Sequence, residues 1–567
     1  MLHLTLLFLF QLFSISPSLG ATVTYNWNIG WVNVSPDGFN RPAIGINGQW
    51  PCPPIEVTVG DRLVVNVTNT LVNETTAIHF HGIFQTGSNQ MDGPAMVTQC
   101  PIAPGSSFTY NFTVNQTGTY WYHAHVGGQY IDGLRGPLLV ADPNAPGVSL
   151  ISKEVTLTVS DWYHSQAPGL IQYFQSPLNQ NLHGGSEPVP NATLINEAQN
   201  VKFPMVAGEY YLFRIINMGA FAGQYLQFDQ HEMIVVEVDG VYTKPYPVTQ
   251  LFLAAAQRYS VIVQAKSTAT ENFAIVLSMD LSMFDPSVTP KNLNNNATGW
   301  LVYNSSKPLP APPSITYLSS ALDDTVFVPY DGQAALGPVT TSLGLTLAFN
   351  PNNQDQNRAT LNNITYIPQK APLSAPASVV SNPLIYGVNS NTHVLEYGAI
   401  VQLLIINTDN GPHPFHLHGH QFQVIARSAP TADDTLLTPP TTVTAPASPM
   451  RRDTLLVNGG GYAFIRWQVN NPGVTLFHCH IEWHVEAGLV ATFLEAPTQL
   501  QALGLVIPQN HKDTCTKLGI PLTGNAAGNT VNWTDLAGAN IEPPLNNWGA
   551  LVNPPTSRVR RMTGAWF

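Results

Sequence analysis

Histidines spaced two residues apart recur in this 567-residue chain, and they constrain its fold more than any other feature. They stand in four clusters: His79-Phe80-His81, His123-Ala124-His125, His413-Pro414-Phe415-His416-Leu417-His418 and His478-Cys479-His480. Side chains alternate across a β-strand, so each pair at this spacing converges on one face. His413, three residues before His416, points to the opposite face, as Cys479 does between its two neighbours. The pattern therefore predicts strands that present two separate sets of ligands.

The two faces predict two metal sites of different chemistry. A thiolate with two imidazoles is the ligand set of a blue-copper electron-transfer centre, which points to His413, Cys479 and His484. The remaining imidazoles are too many for one metal and indicate a cluster of about three coppers: His79, His81, His123, His125, His416, His418, His478 and His480. A single pair of this kind is more often a packed core histidine, but packing does not explain four clusters together.

Composition narrows the class of protein and of partner. Charged residues make up only 10% of the chain, whereas Pro (47) and Gly (43) are abundant, which indicates a loop-rich, all-β protein. A net charge of −12 and a single short basic run, Arg558-Val559-Arg560-Arg561, argue against a nucleic-acid or anionic-membrane partner. The acidity accommodates a cationic or neutral substrate, although solubility alone also explains it.

The N-terminus predicts export. Residues 1–20 have an apolar core followed by small residues, the pattern of a cleaved secretory signal peptide. We expect a secreted monomer, and Asn-x-Ser/Thr sequons predict that it carries N-glycans. The sequons begin at Asn33, Asn66, Asn73, Asn111, Asn115, Asn191, Asn296, Asn304, Asn363 and Asn532.

The chain has four cysteines, and Cys479 is a copper ligand in this interpretation. The other three are an odd number in an oxidising compartment. We expect Cys100 to pair with Cys515, tying the C-terminal tail to the first domain, and Cys52 to remain a buried thiol. A bridge between Cys52 and Cys100 is the alternative.

Two internal repeats predict the domain organisation. One frame, a glycine, a run of β-formers and an asparagine nine positions on, occurs at residues 60–69, 208–217 and 398–407. A second repeat matches residues 118–125 with 473–480, and the middle copy has no such histidine strand. We therefore expect a signal peptide (1–20), a first domain (21–146), a second without copper ligands (147–312), and a third with the C-terminal tail (313–567). The copper cluster is expected between the first and third domains.

These motifs resemble those of the multicopper oxidases, the family of laccases and ferroxidases built from cupredoxin domains. The resemblance runs through essentially the whole mature chain and is closest to the fungal iron-uptake ferroxidases. Strings that carry it include Ile46-Asn47-Gly48-Gln49-Trp50, Gln90-Met91-Asp92-Gly93-Pro94 and His480-Ile481-Glu482-Trp483-His484. It implies three consecutive cupredoxin-like, Greek-key β-domains, four copper ions, and four one-electron oxidations that reduce dioxygen to two waters.

The resemblance also implies a role for each ligand. His413, Cys479 and His484 bind the type 1 copper, beside Leu489 as an axial residue that does not bind it and should raise its potential. His79 and His416 bind the type 2 copper. The paired type 3 coppers take His81, His123, His125, His418, His478 and His480.

Six further residues acquire roles by the same resemblance. Asp92 and Glu482 are the proton-relay candidates, and the Fe(II)-binding candidates are Glu187, Asp285, Tyr366 and Asp409. The residues alone single out only Asp409, which lies four positions before His413. Asp92 is otherwise explained as a turn residue, and Glu482 as a partner that orients a histidine.

The sequence thus predicts a secreted multicopper oxidase that uses O2 to oxidise Fe(II), with additional oxidation of phenols and aromatic amines. A laccase without an iron site is the main alternative. A copper-binding protein without turnover is a third, which the sparse methionines (10) oppose. Membrane-bound iron-uptake ferroxidases end in a transmembrane helix that docks to an iron permease. This chain ends at Phe567 without one, so we expect a soluble enzyme with no permease partner.

Overall fold

The computed structural model describes residues 20–268, 270–315, 323–377, 382–431 and 435–542. The predicted signal peptide, apart from Gly20, and the basic C-terminal run lie outside these residues. Within them, no helix is both long enough and apolar enough to cross a membrane. The described chain forms three consecutive β-sandwiches, each made of two sheets. The all-β, three-domain prediction is therefore confirmed.

The first sandwich consists of β1 (Thr22–Val34), β2 (Arg41–Ile46), β3 (Ile55–Thr58), β4 (Arg62–Asn69), β5 (Ile78–His81), β6 (Ser107–Thr113), β7 (Gly118–Ala124) and β8 (Arg135–Ala141). Its sheets have the orders β2-β1-β4-β6 and β3-β8-β7-β5. The strands alternate buried and exposed residues where one face meets solvent, as in β4, whereas β7 is buried throughout. A strand buried on both faces lies at the centre of the molecule.

The second sandwich consists of β9 (Lys153–Trp162), β10 (Ala192–Ile195), β11 (Val201–Pro204), β12 (Tyr210–Asn217), β13 (Gln224–Phe228), β14 (Met233–Val238), β15 (Val241–Val248), β16 (Leu251–Leu253), β17 (Arg258–Gln264), β18 (Phe273–Met279) and β19 (Asn296–Val302). Its sheets have the orders β10-β9-β12-β17-β14-β15 and β11-β19-β18-β13-β16. Helices α1 (Ala167–Phe174) and α2 (Pro177–His183) follow β9.

The third sandwich consists of β20 (Thr341–Phe349), β21 (Ala359–Leu361), β22 (Thr392–Leu395), β23 (Ile400–Asn407), β24 (His413–Leu417), β25 (Phe422–Arg427), β26 (Arg451–Arg452), β27 (Thr454–Val457), β28 (Tyr462–Gln468), β29 (Gly473–Cys479) and β30 (Val490–Glu495). Its sheets have the orders β21-β20-β23-β28-β25-β26 and β22-β30-β29-β24-β27. The helices of this part are α3 (Ser374–Ala377), α4 (Glu482–Glu486), α5 (Pro497–Leu503) and α6 (Gln509–Leu518). The predicted boundaries near residues 146 and 312 fall between β8 and β9 and between β19 and β20, and they stay predictions.

The repeated glycine and asparagine have the same role in all three sandwiches. The strands β4, β12 and β23 each run parallel to the first strand of their sandwich. The glycine before each strand has a φ of 80–93°, a left-handed conformation that favours glycine: Gly60, Gly208 and Gly398. Each asparagine side chain donates to backbone carbonyls of neighbouring loops and accepts the N–H two residues on: Asn69, Asn217 and Asn407. The repeat thus encodes the start and the anchored end of one strand.

A disulfide joins the first sandwich to the C-terminal tail. Cys100 is bonded to Cys515 on α6, while Cys52 and Cys479 are free and buried. Two hydrogen bonds support the junction: Cys100 N–H donates to His511 Nε2 at 2.7 Å, and Ala103 N–H to the Thr514 hydroxyl at 2.8 Å. The expected pairing is confirmed, and the alternative bridge to Cys52 is wrong.

This pairing predicts the thiol content of the purified protein. Denatured without reductant, the metal-free chain should show two reactive thiols, from Cys52 and Cys479, and four after reduction. Replacing Cys100 and Cys515 together by serine should lower the stability by about 2–5 kcal/mol, because the open chain gains entropy when it unfolds. Thiol titration and calorimetry measure these two quantities, with Cys52→Ala as the control. A Cys52→Ala chain that shows the same two thiols would contradict the pairing.

Candidate metal centre

One site brings together a thiol and two imidazoles at the end of the third sandwich. His413 begins β24, Cys479 ends β29 and His484 lies on α4. The Sγ atom of Cys479 is 3.6 Å from His413 Nδ1 and 3.4 Å from His484 Nδ1, and these two nitrogens are 3.1 Å apart. Two facing ring nitrogens at this distance need a proton or a metal ion between them. The three atoms are therefore placed to hold one metal ion.

The other eight histidines meet between the first and third sandwiches. His79 lies directly opposite His123 on the neighbouring strand, and His416 lies opposite His478. Among the described residues, several buried ring nitrogens of this group have no hydrogen-bond partner: His79 Nε2, His81 Nδ1, His123 Nε2, His125 Nε2, His416 Nε2 and both nitrogens of His480. His418 Nε2 and His478 Nε2 lie 3.1 Å apart. An unpartnered buried polar atom is costly, so the arrangement fits bound metal ions.

The second nitrogen of most of these rings is held from outside. Backbone carbonyls accept from His79 Nδ1, His123 Nδ1, His416 Nδ1 and His478 Nδ1 at 2.7–2.9 Å. Carboxylates accept from His418 Nδ1 (Asp92, 2.9 Å) and His81 Nε2 (Asp453, 3.2 Å). Such partners fix the tautomer and the direction in which the free nitrogen points. The inward nitrogens are thus set before any metal binds.

Burial keeps the rings in the form that binds metals. Burial, together with neighbouring imidazoles, lowers the pKa of His81, His123, His125, His418 and His480 well below the usual range, and it lowers the pKa of His478 to about 3. Burial also raises the pKa of the Cys479 thiol, so a thiolate there requires a cation beside it. Neutral imidazole and thiolate are ligands that suit copper, and the donor set therefore fits copper ions.

The sequence-predicted acids Glu187, Asp285 and Asp409 lie on the outer side of the thiol site. Glu187 Oε1 accepts from His484 Nε2 at 2.8 Å, and Asp409 Oδ2 accepts from His413 Nε2 at 3.1 Å. Their side chains remain 26% and 38% exposed, so solvent and small cations reach them. Asp285 joins the group through Ser186, whose hydroxyl donates to Asp285 at 2.5 Å. Burial opposes ionisation of Asp409, but the hydrogen bond from His413 lowers its pKa to about 2.

Tyr366 is buried, unlike Glu187 and Asp409. It is only 7% exposed and packs in an apolar cluster with Val97, Leu476 and Val490. It lines a separate cavity of about 60 Å³ that also reaches His125 and Glu482. The Fe(II)-site role of Tyr366 stays a prediction.

The two proton-relay candidates lie against the histidine cluster. Asp92 bridges the sandwiches, because its carboxylate accepts from His418 and its backbone carbonyl accepts from His79. Glu482 begins α4 and lines the cavity beside His125. Burial raises the pKa of Glu482 to about 8, so it holds a proton at neutral pH. Asp92 therefore orients two histidines, whatever its part in proton transfer, and both relay roles stay predictions.

Three residues of the site were not predicted from the sequence. The Phe349 ring lies 4.8 Å from the His484 ring and 5.7 Å from the His413 ring, and so covers the thiol site together with the fully buried Leu489. Asp453 accepts from His81, and Arg258 from the second sandwich pairs with Asp453. The run Arg451-Arg452-Asp453 could have indicated Asp453 as a site residue, because charged residues are scarce in this chain.

Three family models together match most of the described chain. Models described as "Multicopper oxidase" match residues 28–145, 153–306 and 349–499. The iron transport multicopper oxidase fetC of Epichloe festucae is 48% identical, over 94% of this chain and 85% of the relative. The iron transport multicopper oxidase FET3 of Gibberella zeae is 47% identical, over 92% and 85%.

Solved structures give the same picture. The crystal structure of Fet3p, described as a multicopper oxidase that functions in iron import, superimposes with a TM-score of 0.88 at 39% identity, covering 92% of this chain and 100% of that one. A laccase from Botrytis aclada superimposes with a TM-score of 0.75 at 29% identity, covering 88% and 92%. Both the sequence and the fold are thus nearer to the iron-import protein than to this laccase.

Metal removal should destabilise the protein, because most of the inward nitrogens have no hydrogen-bond partner among the described residues and would then lose their metal ligand bonds. We expect a lower unfolding temperature for the metal-free chain and recovery on adding copper but not Mg²⁺, which imidazole and thiolate bind poorly. A free ligand at about a thousand times its Kd stabilises a fold by about 4 kcal/mol. Calorimetry before and after chelation measures the difference. Equal unfolding temperatures with and without copper would contradict the metal assignment.

Proposed function

The chain belongs to the multicopper oxidase family, and from this premise we propose that it is a ferroxidase. In the proposed reaction four Fe(II) ions are oxidised to Fe(III) while O2 and four protons become two waters. The observation that carries the proposal is the pair of half-exposed carboxylates, Glu187 and Asp409, each hydrogen-bonded to the outer nitrogen of a histidine of the thiol site.

The proposed copper content is one type 1, one type 2 and two type 3 ions. His413, Cys479 and His484 would hold the type 1 copper, and His79 with His416 the type 2 copper. The other six histidines of the cluster would hold the type 3 pair. Bound copper would supply one-electron redox chemistry at the thiol site. At the histidine cluster it would supply a place where dioxygen accepts four electrons.

An iron site at Glu187 and Asp409 agrees with the ligand preference of Fe(II) and with the solvent access of the two acids. Fe(II) accepts carboxylate oxygens as ligands, and two acids that open to solvent can take it from water and release the product. Each carboxylate would then contact both the iron and a type 1 histidine, which gives the electron a bonded path into the protein. Asp285 adds a third acid through Ser186. The relatives described as iron transport oxidases support the same substrate.

The residues between the two sites shorten the electron path. Cys479 lies between His478 and His480 in the sequence, so the thiol site is covalently joined to two residues of the histidine cluster. On the proton side, burial raises the pKa of Glu482 to about 8, and Glu482 lines the same cavity as His125, where it can deliver protons that water formation consumes. Asp92, whose carboxylate accepts from His418 Nδ1, is the second candidate.

A secondary activity on phenols or aromatic amines is the second candidate function. Phe349 places an aromatic face against the His413 and His484 rings, next to the acids. An aromatic substrate can stack there and give its electron to the same histidines. The similarity to a laccase is in keeping with this activity.

We also propose that the protein is secreted as a glycosylated monomer. Several sequon asparagines are exposed: Asn33, Asn73, Asn115, Asn296, Asn363 and Asn532. Asn191 is half-buried and its side-chain oxygen accepts the backbone N–H of His164 at 2.8 Å, so this side chain is held in the fold and is less accessible to the glycosylating enzyme than the exposed ones.

Enzymatic deglycosylation of the secreted protein should therefore lower its mass. Asn115→Gln should reduce the mass loss, because Asn115 is exposed, and the matched Asn191→Gln change should leave it unaltered. Mass spectrometry of the two variants measures this. A chain with no mass loss at all would contradict export through the glycosylating pathway.

The iron site predicts a selective kinetic defect. The double change Glu187→Ala and Asp409→Ala should lower kcat/KM for Fe(II) at least about tenfold more than kcat/KM for a simple phenol, a difference of about 1.4 kcal/mol in transition-state stabilisation. Oxygen consumption with each reductant is the measurement. Glu56→Gln, at an exposed acid on β3 of the first sandwich, is the matched control and should change neither value. Equal losses with both substrates, or unchanged Fe(II) turnover, would favour a laccase without an iron site.

A further inference from the structure

One carboxylate is shared by histidines from two different sandwiches. Asp453 Oδ1 accepts from His81 Nε2 at 3.2 Å and lies 3.6 Å from His416 Nδ1, while the Asp453 backbone carbonyl accepts from that Nδ1 at 2.9 Å. The Thr454 hydroxyl donates to the same carboxylate oxygen at 2.9 Å. Asp453 therefore fixes the direction of one ring from the first sandwich and one from the third.

Asp453 is in turn held by the sandwich that contributes no copper ligand. Arg258, the first residue of β17, donates from Nη1 to Asp453 Oδ1 at 2.7 Å and from Nη2 to Asp453 Oδ2 at 2.6 Å. Its Nε donates to the Thr119 carbonyl of the first sandwich, and Nη1 also donates to the Ala256 carbonyl. Both charged side chains are fully buried. The planar guanidinium donates one N–H to each carboxylate oxygen, whereas the ammonium of lysine has no planar pair of donors.

The backbone of Gly82 packs closely against this ion pair. A Cβ atom at Gly82, the residue after His81, would lie 2.7 Å from Arg258 Nη2 and 2.8 Å from Asp453 Oδ2. The φ of Gly82 is 89°, so a side chain is disfavoured there for a second reason. The chain therefore passes directly over the ion pair at the point where it leaves a histidine of the cluster.

We propose that Arg258 is a positioning residue for the inner copper cluster, acting through Asp453 on His81 and His416. The second sandwich then has a direct part in metal binding although it offers no ligand. The inference rests on the proposed copper assignment. The type 2 copper should depend on Arg258 most, because only two protein ligands hold it and His416 is one of them. Loss of an outer partner of a ligand typically weakens metal binding about 10–100-fold.

The test compares Arg258→Lys with Arg41→Lys in the full-length protein. Arg41 is also buried and also pairs with a carboxylate, Asp132, at 2.7 Å, but its recorded contacts include no candidate copper ligand. Copper per chain, the type 2 signal in electron paramagnetic resonance and the blue absorption of the Cys479 site are followed during dialysis against a chelator. Arg258→Lys should lose the type 2 copper at about 10–100-fold lower chelator concentration and keep its blue absorption. Arg41→Lys should lose copper as the wild type does, even if its unfolding temperature falls.

Asp453→Asn makes the test independent of whether Arg258→Lys folds. It keeps the shape of the side chain but removes the charge that Arg258 binds, and it should show the same selective loss. The double variant should lose no more than either single variant, because both changes break one interaction. Wild-type retention of type 2 copper in Arg258→Lys, or in Asp453→Asn if the former does not fold, would overturn the proposal. Copper retention does not depend on the reductant, so this result would stand even if Glu187 and Asp409 do not bind iron. A wild-type protein without copper in the histidine cluster would instead overturn the copper assignment.

Discussion

Eight imidazoles, seven of them buried, meet between the first and third sandwiches, and the rest of the structure is arranged so that they can remain there. Desolvation keeps the rings neutral, and neutral rings leave lone pairs that the described protein atoms do not satisfy. Cations at the centre balance this cost. Strand register, loop glycines and buried ion pairs then have one task in common, which is to hold rings from two sandwiches at a fixed separation.

The partners of the outer nitrogens distinguish the two sites. At the inner cluster they are backbone carbonyls and the buried acids Asp92 and Asp453, which isolate the rings from solvent. At the thiol site they are the half-exposed Glu187 and Asp409, which connect the rings to solvent. The same kind of hydrogen bond therefore insulates one site and opens the other. This contrast suits a protein that takes electrons at its surface and uses them in its interior.

Strand alternation relates residues that are close in the sequence, so it predicted which ligands share a face but not which distant residues meet. Spacing alone separated His413 and Cys479 from the neighbouring histidines, and the repeated Gly and Asn positions predicted three related sandwiches. Arg258 and Asp453 are 195 positions apart and meet only because the second sandwich packs on the other two. The burial of Tyr366 could not be predicted for a similar reason, since a loop residue has no periodicity from which its burial follows. The family resemblance supplied Glu187 and Asp285, which no pattern in the residues would have singled out.

The ligands of the inner cluster come from the first and last sandwiches, and the disulfide joins the same two parts of the chain. A ribosome makes the strands that carry His79 and His123 early, and those that carry His478 and His480 almost at the end. Domains tend to fold in the order of synthesis, so the first sandwich, which carries four of the eight cluster histidines, folds before the other four have been made. A chain cut short before β29 has no route to a complete cluster. The complete cluster can therefore take up copper only after the third sandwich has been made and has packed on the first.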